Sequence, residues 1–348
     1  MQTKQLKLDP ERIDGELIAE AAEVIRRGGL VVFPTETVYG LGADATNEDA
    51  VKDIFRAKGR PGDNPLIIHV ASPDEAAKYT ETCELYYRIA EAFMPGPITV
   101  ILPSRDNIPL ATRAGLPTVA VRCPENKIAR ALISAAGVPI AAPSANLSGS
   151  PSPTSFKHVV DDMNGRCDVI IDGGDCDFGL ESTIVKIDGD GAVTLLRPGR
   201  ITVGDLESIG ITVRVADAVV DKLGEGEVAL SPGMKYRHYA PGAELILLEG
   251  SREACARYIK GVGKERVALI SHTDDVEYYK GELPTVIIYD FGLRGDMAAQ
   301  AHRLFSILRS ADKEDFDLIL APLPEKDGIG LALYNRMIRA AAHKIIRL

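Results

Sequence analysis

Several stretches of the first two hundred residues concentrate side chains able to bind and stabilise charge. FPTETVYGLGADA (33–45) ends an apolar run at Pro34 and then sets Thr35, Glu36, Thr37 and Tyr39 beside two glycines. Hydroxyls at a strand end, next to backbone that a ligand can approach closely, are suited to holding a polar molecule. The plain alternative is a glycine-rich turn with its threonines satisfied locally. KGRPGDNPLIIH (58–69) sets Lys58 and Arg60 at the end of a helical run, and Pro61, Asn64 and Pro65 then stiffen the chain ahead of His69. Cations there complement a helix dipole, yet two cations and an amide on a stiff loop also make a phosphate clamp. His69 alone reads as a satisfied sheet histidine.

TVAVRCP places Thr118, Ala120 and Arg122 on one face of a strand. An arginine on a buried strand is costly unless paired, so its partner is either an internal carboxylate or a ligand carboxylate. PIAAPSANLSGSPSPTS (139–155) strings Ser144, Asn146, Ser148, Ser150 and Ser152 along a loop. That loop is either a mobile surface segment or, given its prolines and alanines, a stiff one that a ligand approaches closely. GLESTIVKI and LLRPGR add Ser182, Thr183, Arg197 and Arg200, and SPGMKYRHYAP (231–241) carries Lys235, Tyr236, Arg237, His238 and Tyr239 in an unbroken row. No GxxxxGK phosphate loop, GxSxG elbow or HExxH helix occurs. KGVGKER (260–266) lies between a helix and a strand, the wrong order for a phosphate cradle. With no evident nucleophile, the residues point to chemistry done by positioning and charge stabilisation.

The elements that must hold these residues divide into two patterns. Up to about residue 212, short β-rich runs (LVVFP, PLIIHV, ITVILP, TVAVRCP, VIIDGG, STIVKID, AVTLLRPG) mix irregularly with amphipathic helical runs such as ELIAEAAEVIRRGG and NEDAVKDIFRAK, the latter capped by Thr46 or Asn47. Strands outnumber helices, which predicts a twisted mixed sheet. From residue 243 the strands LILLE, RVALIS, TVIIYD and FDLILAP alternate with helices SREACARYIKGVG, DMAAQAHRLFSILRS and IGLALYNRMIRAAAHKII, which predicts a small Rossmann-like α/β domain. The expected division is therefore 1–212, a linker over 213–242, and 243–348.

The 348 residues suffice for two cores. A net charge of −10 argues against a general nucleic-acid or anionic-membrane binder. The opening MQTKQLKLDPERID has no apolar centre, so it does not read as a secretory leader, and no apolar run reaches the length of a membrane span. Five scattered cysteines without a CxxC pair fit reduced thiols in a cytoplasm and give no metal site.

FPTETVYGLG, KGRPGDNPL, PGPITVIL, VAVRCP, APSANLSG, STIVKI and LLRPG resemble the YrdC-like family in order and spacing, and the second domain with SPGMKYRHYAP resembles its long, two-domain form. The resemblance implies a YrdC-like N-terminal domain with a twisted mixed sheet and an open cleft. It implies a nucleotidyltransferase that makes threonylcarbamoyl-AMP and pyrophosphate from L-threonine, bicarbonate and ATP, the first step of threonylcarbamoyl-adenosine modification of tRNA. The substrate's own carbamate would be the nucleophile, and Mg²⁺ would arrive with ATP. Carried over motif by motif, Thr37, His69, Arg122 and Ser182 would line the threonine side. Lys58, Arg60, Asn64, Thr118, Ser144, Asn146, Ser152 and Arg197 would line the nucleotide side, Lys58 and Arg60 stabilising charge. Tyr236, Arg237, His238 and Tyr239 would cap the nucleotide and exclude water, the alternative being a basic linker that bridges two acidic domains. The tRNA threonylcarbamoyl transfer machinery would be a transient partner. Two rival readings are a carbamoyl transferase of the same superfamily, whose acylphosphatase and zinc-finger segments are missing here, and an RNA-binding module, against which acidity and 5% aromatic content argue.

Overall fold

β-branched and leucine-rich runs with little polar interruption form the strands, and the computed structural model describes residues 2–221 and 239–348. Two units result, residues 1–148 with 152–235, and residues 149–151 with 236–348.

In the first unit the strands are β1 (Lys4–Lys7), β2 (Val31–Phe33), β3 (Gly40–Asp44), β4 (Ile67–His69), β5 (Ile98–Pro103), β6 (Thr118–Arg122), β7 (Ile140–Ala141), β8 (Val169–Asp172), β9 (Thr183–Ile187), β10 (Val193–Arg197) and β11 (Val213–Val215). The helices are α1 (Gly15–Arg26), α2 (Glu48–Lys58), α3 (Glu84–Phe93), α4 (Lys127–Ala136), α5 (Phe156–Met163) and α6 (Val203–Ser208). The strands form one mixed sheet in the order β1-β8-β2-β3-β7-β4-β6-β5-β9-β10-β11. Parallel pairs such as β4–β6 and β5–β9 alternate with antiparallel ones such as β5–β6 and β9–β10.

Local chemistry sets the helix ends. Asp14 accepts the amides of Glu16 and Leu17 at the start of α1. Asn47 caps α2, whose dipole is complemented by Lys58 in its last turn and whose end is a left-handed Gly59. Ile18, Ala21, Ala22 and Ile25 of α1 pack with Ile128, Leu132 and Ile133 of α4 over Val31, Phe33 and Val169. Each large aliphatic so buried contributes roughly 1.5–3 kcal/mol.

The GLGAD stretch, for which the sequence left a glycine-rich turn as the plain alternative, is strand β3. A Cβ on Gly42 would sit 2.7 Å from both Ile140 Cγ2 and Phe33 Cε1, so glycine is what lets this strand pass between its neighbours. The start of the expected 213–242 linker also differs, because β11 pairs in parallel with β10 and extends the first sheet to Val215. Tyr236, Arg237 and His238, expected to cap the nucleotide, lie outside the described residues.

In the second unit β12 (Glu244–Glu249), β13 (Val267–Ser271), β14 (Ile287–Asp290), β15 (Leu318–Pro322) and β16 (Ile345–Arg347) alternate with α7 (Arg252–Lys260), α8 (Thr273–Glu282), α9 (Met297–Asp312) and α10 (Gly330–Ala340). The sheet is parallel, in the order β14-β13-β15-β12-β16. Right-handed crossovers then put α7 and α8 on one face and α9 and α10 on the other, and α7 packs on α8 and α9 on α10. Two elements depart from the sequence reading. α8 has no apolar stripe, burying only Asp275 and Tyr279. AHKII, read as the tail of the last helix, instead breaks at Ala342 and His343, both at positive φ, and continues as β16 beside Leu247 and Leu248.

Candidate active site

The parallel register of β4 and β6 puts His69 next to Arg122. Antiparallel pairing of Val100 with Val121 puts Thr99 of β5 across from Arg122 on the same face. Below this polar row, Ile67, Ala120, Ile101 and Ile184 form an apolar floor.

Arg122 is the centre of the arrangement. Its Nη2 donates to Glu36 Oε1 at 2.6 Å and to Thr37 Oγ1 at 2.8 Å. The ion pair is almost wholly enclosed, with side-chain exposures of 5% and 6%, so water screens it little. The second Glu36 oxygen accepts the amides of Glu125 at 3.1 Å and Asn126 at 3.4 Å, which tie it to the start of α4. Thr35 Oγ1 donates to the Val38 carbonyl at 2.5 Å and lies 2.8 Å from Thr37 Oγ1. Thr37 therefore gives its proton to Thr35 and accepts from Arg122. Arg122 Nε is buried with no acceptor among the described residues. A buried donor left unmet costs about 1–3 kcal/mol, which an incoming acceptor would recover.

Beside this arginine, complete burial and the Arg122 charge push the His69 imidazole down to about 3, so it is neutral at ordinary pH. Its Nδ1 lies 3.2 Å from the Ile140 carbonyl. The carbonyl assigns the proton to Nδ1 and leaves Nε2 as an acceptor. Phe33 meets the ring edge-on at 6.1 Å.

Further along the row, Arg197 Nε donates to the Ser182 carbonyl at 2.9 Å and its Nη2 to Ser182 Oγ at 3.0 Å. Thr99 Oγ1 lies 2.8 Å from the same Ser182 oxygen. Glu36, Thr37, His69, Thr99, Arg122, Ser182 and Arg197 thus form one continuous polar surface. The adjacent Glu181 accepts from Ser152 Oγ at 2.5 Å, with both residues buried.

The remaining candidates are arranged around the loop after β7. Lys58 Nζ donates to the Ser144 carbonyl at 2.5 Å and the Asn146 carbonyl at 2.6 Å, and Ser144 Oγ donates to Asn146 Oδ1 at 2.5 Å. In this structure the Lys58 ammonium therefore holds the loop. Arg60 lies 5.9 Å from the Phe55 ring centroid. Asn64 is fully buried, and neither of its amide atoms has a hydrogen bond among the described residues. Thr118, half-buried at the start of β6, shares the face of Arg122 but lies four residues, roughly 13 Å, along the strand. Tyr239 is buried in the second unit, its ring stacked on Phe305 at 5.2 Å with Arg336 over it at 5.9 Å.

Two residues that take part here, Glu181 and Thr99, were not singled out from sequence, and Glu36 was named there without a role of its own. Glu36 was the internal carboxylate that a buried Arg122 required. Glu181 adjoins Ser182, and Thr99 is visible only through strand pairing. Among the described residues no group of three or more His, Cys, Asp or Glu side chains could hold a metal ion.

Residues 23–199 match the family model described as "Telomere recombination", covering Sua5, YciO and YrdC proteins, and residues 201–342 match "Threonylcarbamoyl-AMP synthase, C-terminal domain". The chain is 44% identical to the threonylcarbamoyl-AMP synthase of Pyrococcus abyssi, over 97% of each chain. It is 42% identical to that of Bacillus subtilis, over 95% of this chain and 94% of the relative. Among solved structures, P. abyssi Sua5 complexed with L-threonine superposes with a TM-score of 0.90 at 42% identity, covering 99% of this chain and 100% of the other.

Proposed function

From the premise that the chain belongs to the threonylcarbamoyl-AMP synthase family, we propose that the Arg122 surface binds L-threonine and that the adjoining Lys58–Arg197 groups bind ATP. The enzyme makes threonylcarbamoyl-AMP, the activated intermediate for modification of tRNA adenosine, from L-threonine, bicarbonate and ATP. Its class is nucleotidyltransferase, since AMP is what moves.

Threonine's amine condenses with bicarbonate to a carbamate, releasing water. A carbamate oxygen then attacks the α-phosphorus of ATP, the α–β phosphoanhydride bond breaks, and pyrophosphate departs with its electron pair. Because the substrate carries the nucleophile, the protein needs no serine or cysteine, only alignment and charge stabilisation. The observation that carries the reading is Arg122, fixed by Glu36 and Thr37 with Nε still lacking an acceptor. A planar guanidinium held in this way suits the threonine carboxylate. His69 Nε2 would accept a hydrogen bond from threonine's hydroxyl or amine, and Ser182 would complete that side. Asn64, with its amide unmet, and Arg60, Thr118, Ser144, Asn146, Ser152 and Arg197 would face the nucleotide. Lys58 and Arg60 would offset phosphate charge, Lys58 also stiffening the loop.

Mg²⁺ enters as part of the nucleotide substrate, since this ion is commonly held through substrate phosphates and water. The activated product is handed to the machinery that acylates tRNA, a transient partner in a cytoplasmic setting. Mass spectrometry tests the reading. Incubation with ATP, threonine and ¹³C-bicarbonate should give threonylcarbamoyl-AMP heavier by the single labelled carbon. Unlabelled product, or formation of ADP in its place, would reject it.

A further inference from the structure

The second unit contains a crevice that the proposed reaction does not use. In its parallel sheet, β15 lies between β13 and β12. The chain leaves β13 and β12 toward the α7–α8 face and leaves β15 toward the α9–α10 face, so the loops part at the carboxyl ends of these three strands. Ligands of open α/β sheets bind at such a point of divergence. A cavity with about 50 Å³ of water-accessible space opens there, lined by Gly250, Arg252, Ser271, His272, Asp275 and Arg294 among others.

The charges are arranged for an anion. Asp275, 7% exposed in the first turn of α8, braces two arginines from different segments, Arg252 at the start of α7 and Arg294 in the loop before α9. Arg294 Nη2 contacts one of its oxygens. Arg252 Nη1 lies 3.7 Å from the other, an ion pair too long for a hydrogen bond. Arg252 Nε is fixed by Glu253 at 2.8 Å, and its guanidinium stacks 4.7 Å from the Tyr278 ring centroid. The Arg252 and Arg294 side chains are 46% and 60% exposed, so the guanidinium donors not spent on Glu253 and Asp275 are open to solvent and to an incoming anion. The N-terminus of α8, which has no side-chain cap, opens on the same crevice.

We propose that this crevice is a second ligand site that takes a phosphate group, supplied either as free phosphate or as a phosphate monoester, through Arg252 and Arg294. It lies wholly within the second unit, so it stands whether or not the Arg122 surface binds threonine.

Residue-resolved amide NMR of the full chain tests it, using inorganic phosphate and AMP as separate probes. Gly250, Arg252 and His272 amides should shift saturably, and Arg294→Gln should weaken the response at least about tenfold, equivalent to roughly 1.4 kcal/mol. Arg252→Gln serves the same purpose if Arg294→Gln fails to fold. Both variants should retain wild-type pyrophosphate release. Equal affinity for the two probes identifies phosphate alone as sufficient, and tighter AMP binding identifies a monoester. The absence of saturable shifts at these amides with either probe, or shifts that persist unchanged in both variants, would overturn the proposal. Phosphate bound in the first unit moves other amides and leaves the outcome readable.

Discussion

Replacing Arg122 by lysine separates a carboxylate-binding role from a purely structural one. The wild-type guanidinium spends Nη2 on Glu36 and Thr37 and keeps Nε for another acceptor. A lysine retains the positive charge beside Glu36, so the buried carboxylate is not stranded, but it cannot serve Glu36, Thr37 and a substrate carboxylate together in one plane. One charge-assisted hydrogen bond to substrate should go, at about 1.5–3 kcal/mol. At 1.36 kcal/mol per tenfold, that lowers kcat/KM for threonine by roughly 10- to 150-fold. The site is enclosed, so solvent screening trims this little. Initial rates of pyrophosphate release at varied threonine, then at varied ATP, read the effect, and thermal unfolding checks that the variant is folded. ATP KM should stay within about threefold of wild type, a change worth under 1 kcal/mol. Arg122→Met, in contrast, should cost about 3–5 kcal/mol of stability by leaving Glu36 unpaired. A folded Arg122→Lys enzyme with unchanged kcat/KM for threonine, or one whose loss falls on ATP, would refute the reasoning.

Three further outcomes follow from the same geometry. His69 is neutral in the fold down to about pH 3 but titrates near 6.5 when unfolded, so between those values the unfolded state binds the extra proton and stability falls as pH falls; urea unfolding at pH 5 and 7 should show this slope, and His69→Gln should lessen it. Ser152→Ala removes the short hydrogen bond to the buried Glu181 carboxylate and should cost about 1–3 kcal/mol, read as a lowered urea midpoint without a change in m. Among the five thiols only Cys83 is exposed, while burial pushes Cys123 up to about 11 and Cys167 up to about 12; a thiol reagent at pH 8 should label one equivalent rapidly and the others only on unfolding.

How much could be read in advance depended on how local the cause was. The alternation of strands and helices after residue 243 comes from side-chain periodicity, so most of the second unit was legible. α8 escaped because it exposes most of its surface, and β16 because two residues at positive φ separate it from a helix of the same apolar character. In the first unit the stretches rich in hydroxyls and cations announced themselves by composition. Their pairing did not. Glu36 meets Arg122 across 86 residues and Ser152 meets Glu181 across 29, contacts that only strand order creates. The adjacency of His69 and Arg122 likewise needs the parallel β4–β6 register. The need for a partner was nevertheless written into Arg122, since a guanidinium on a buried strand requires a carboxylate. Glu36 and an incoming substrate are the two candidates that the fold brings within reach.

The most direct test of the central claim is pyrophosphate release from Mg·ATP with threonine and bicarbonate omitted in turn. The account predicts release only when both are present, in step with formation of threonylcarbamoyl-AMP. Release that needs neither would contradict it, because the nucleophile would then be water and not the carbamate of threonine.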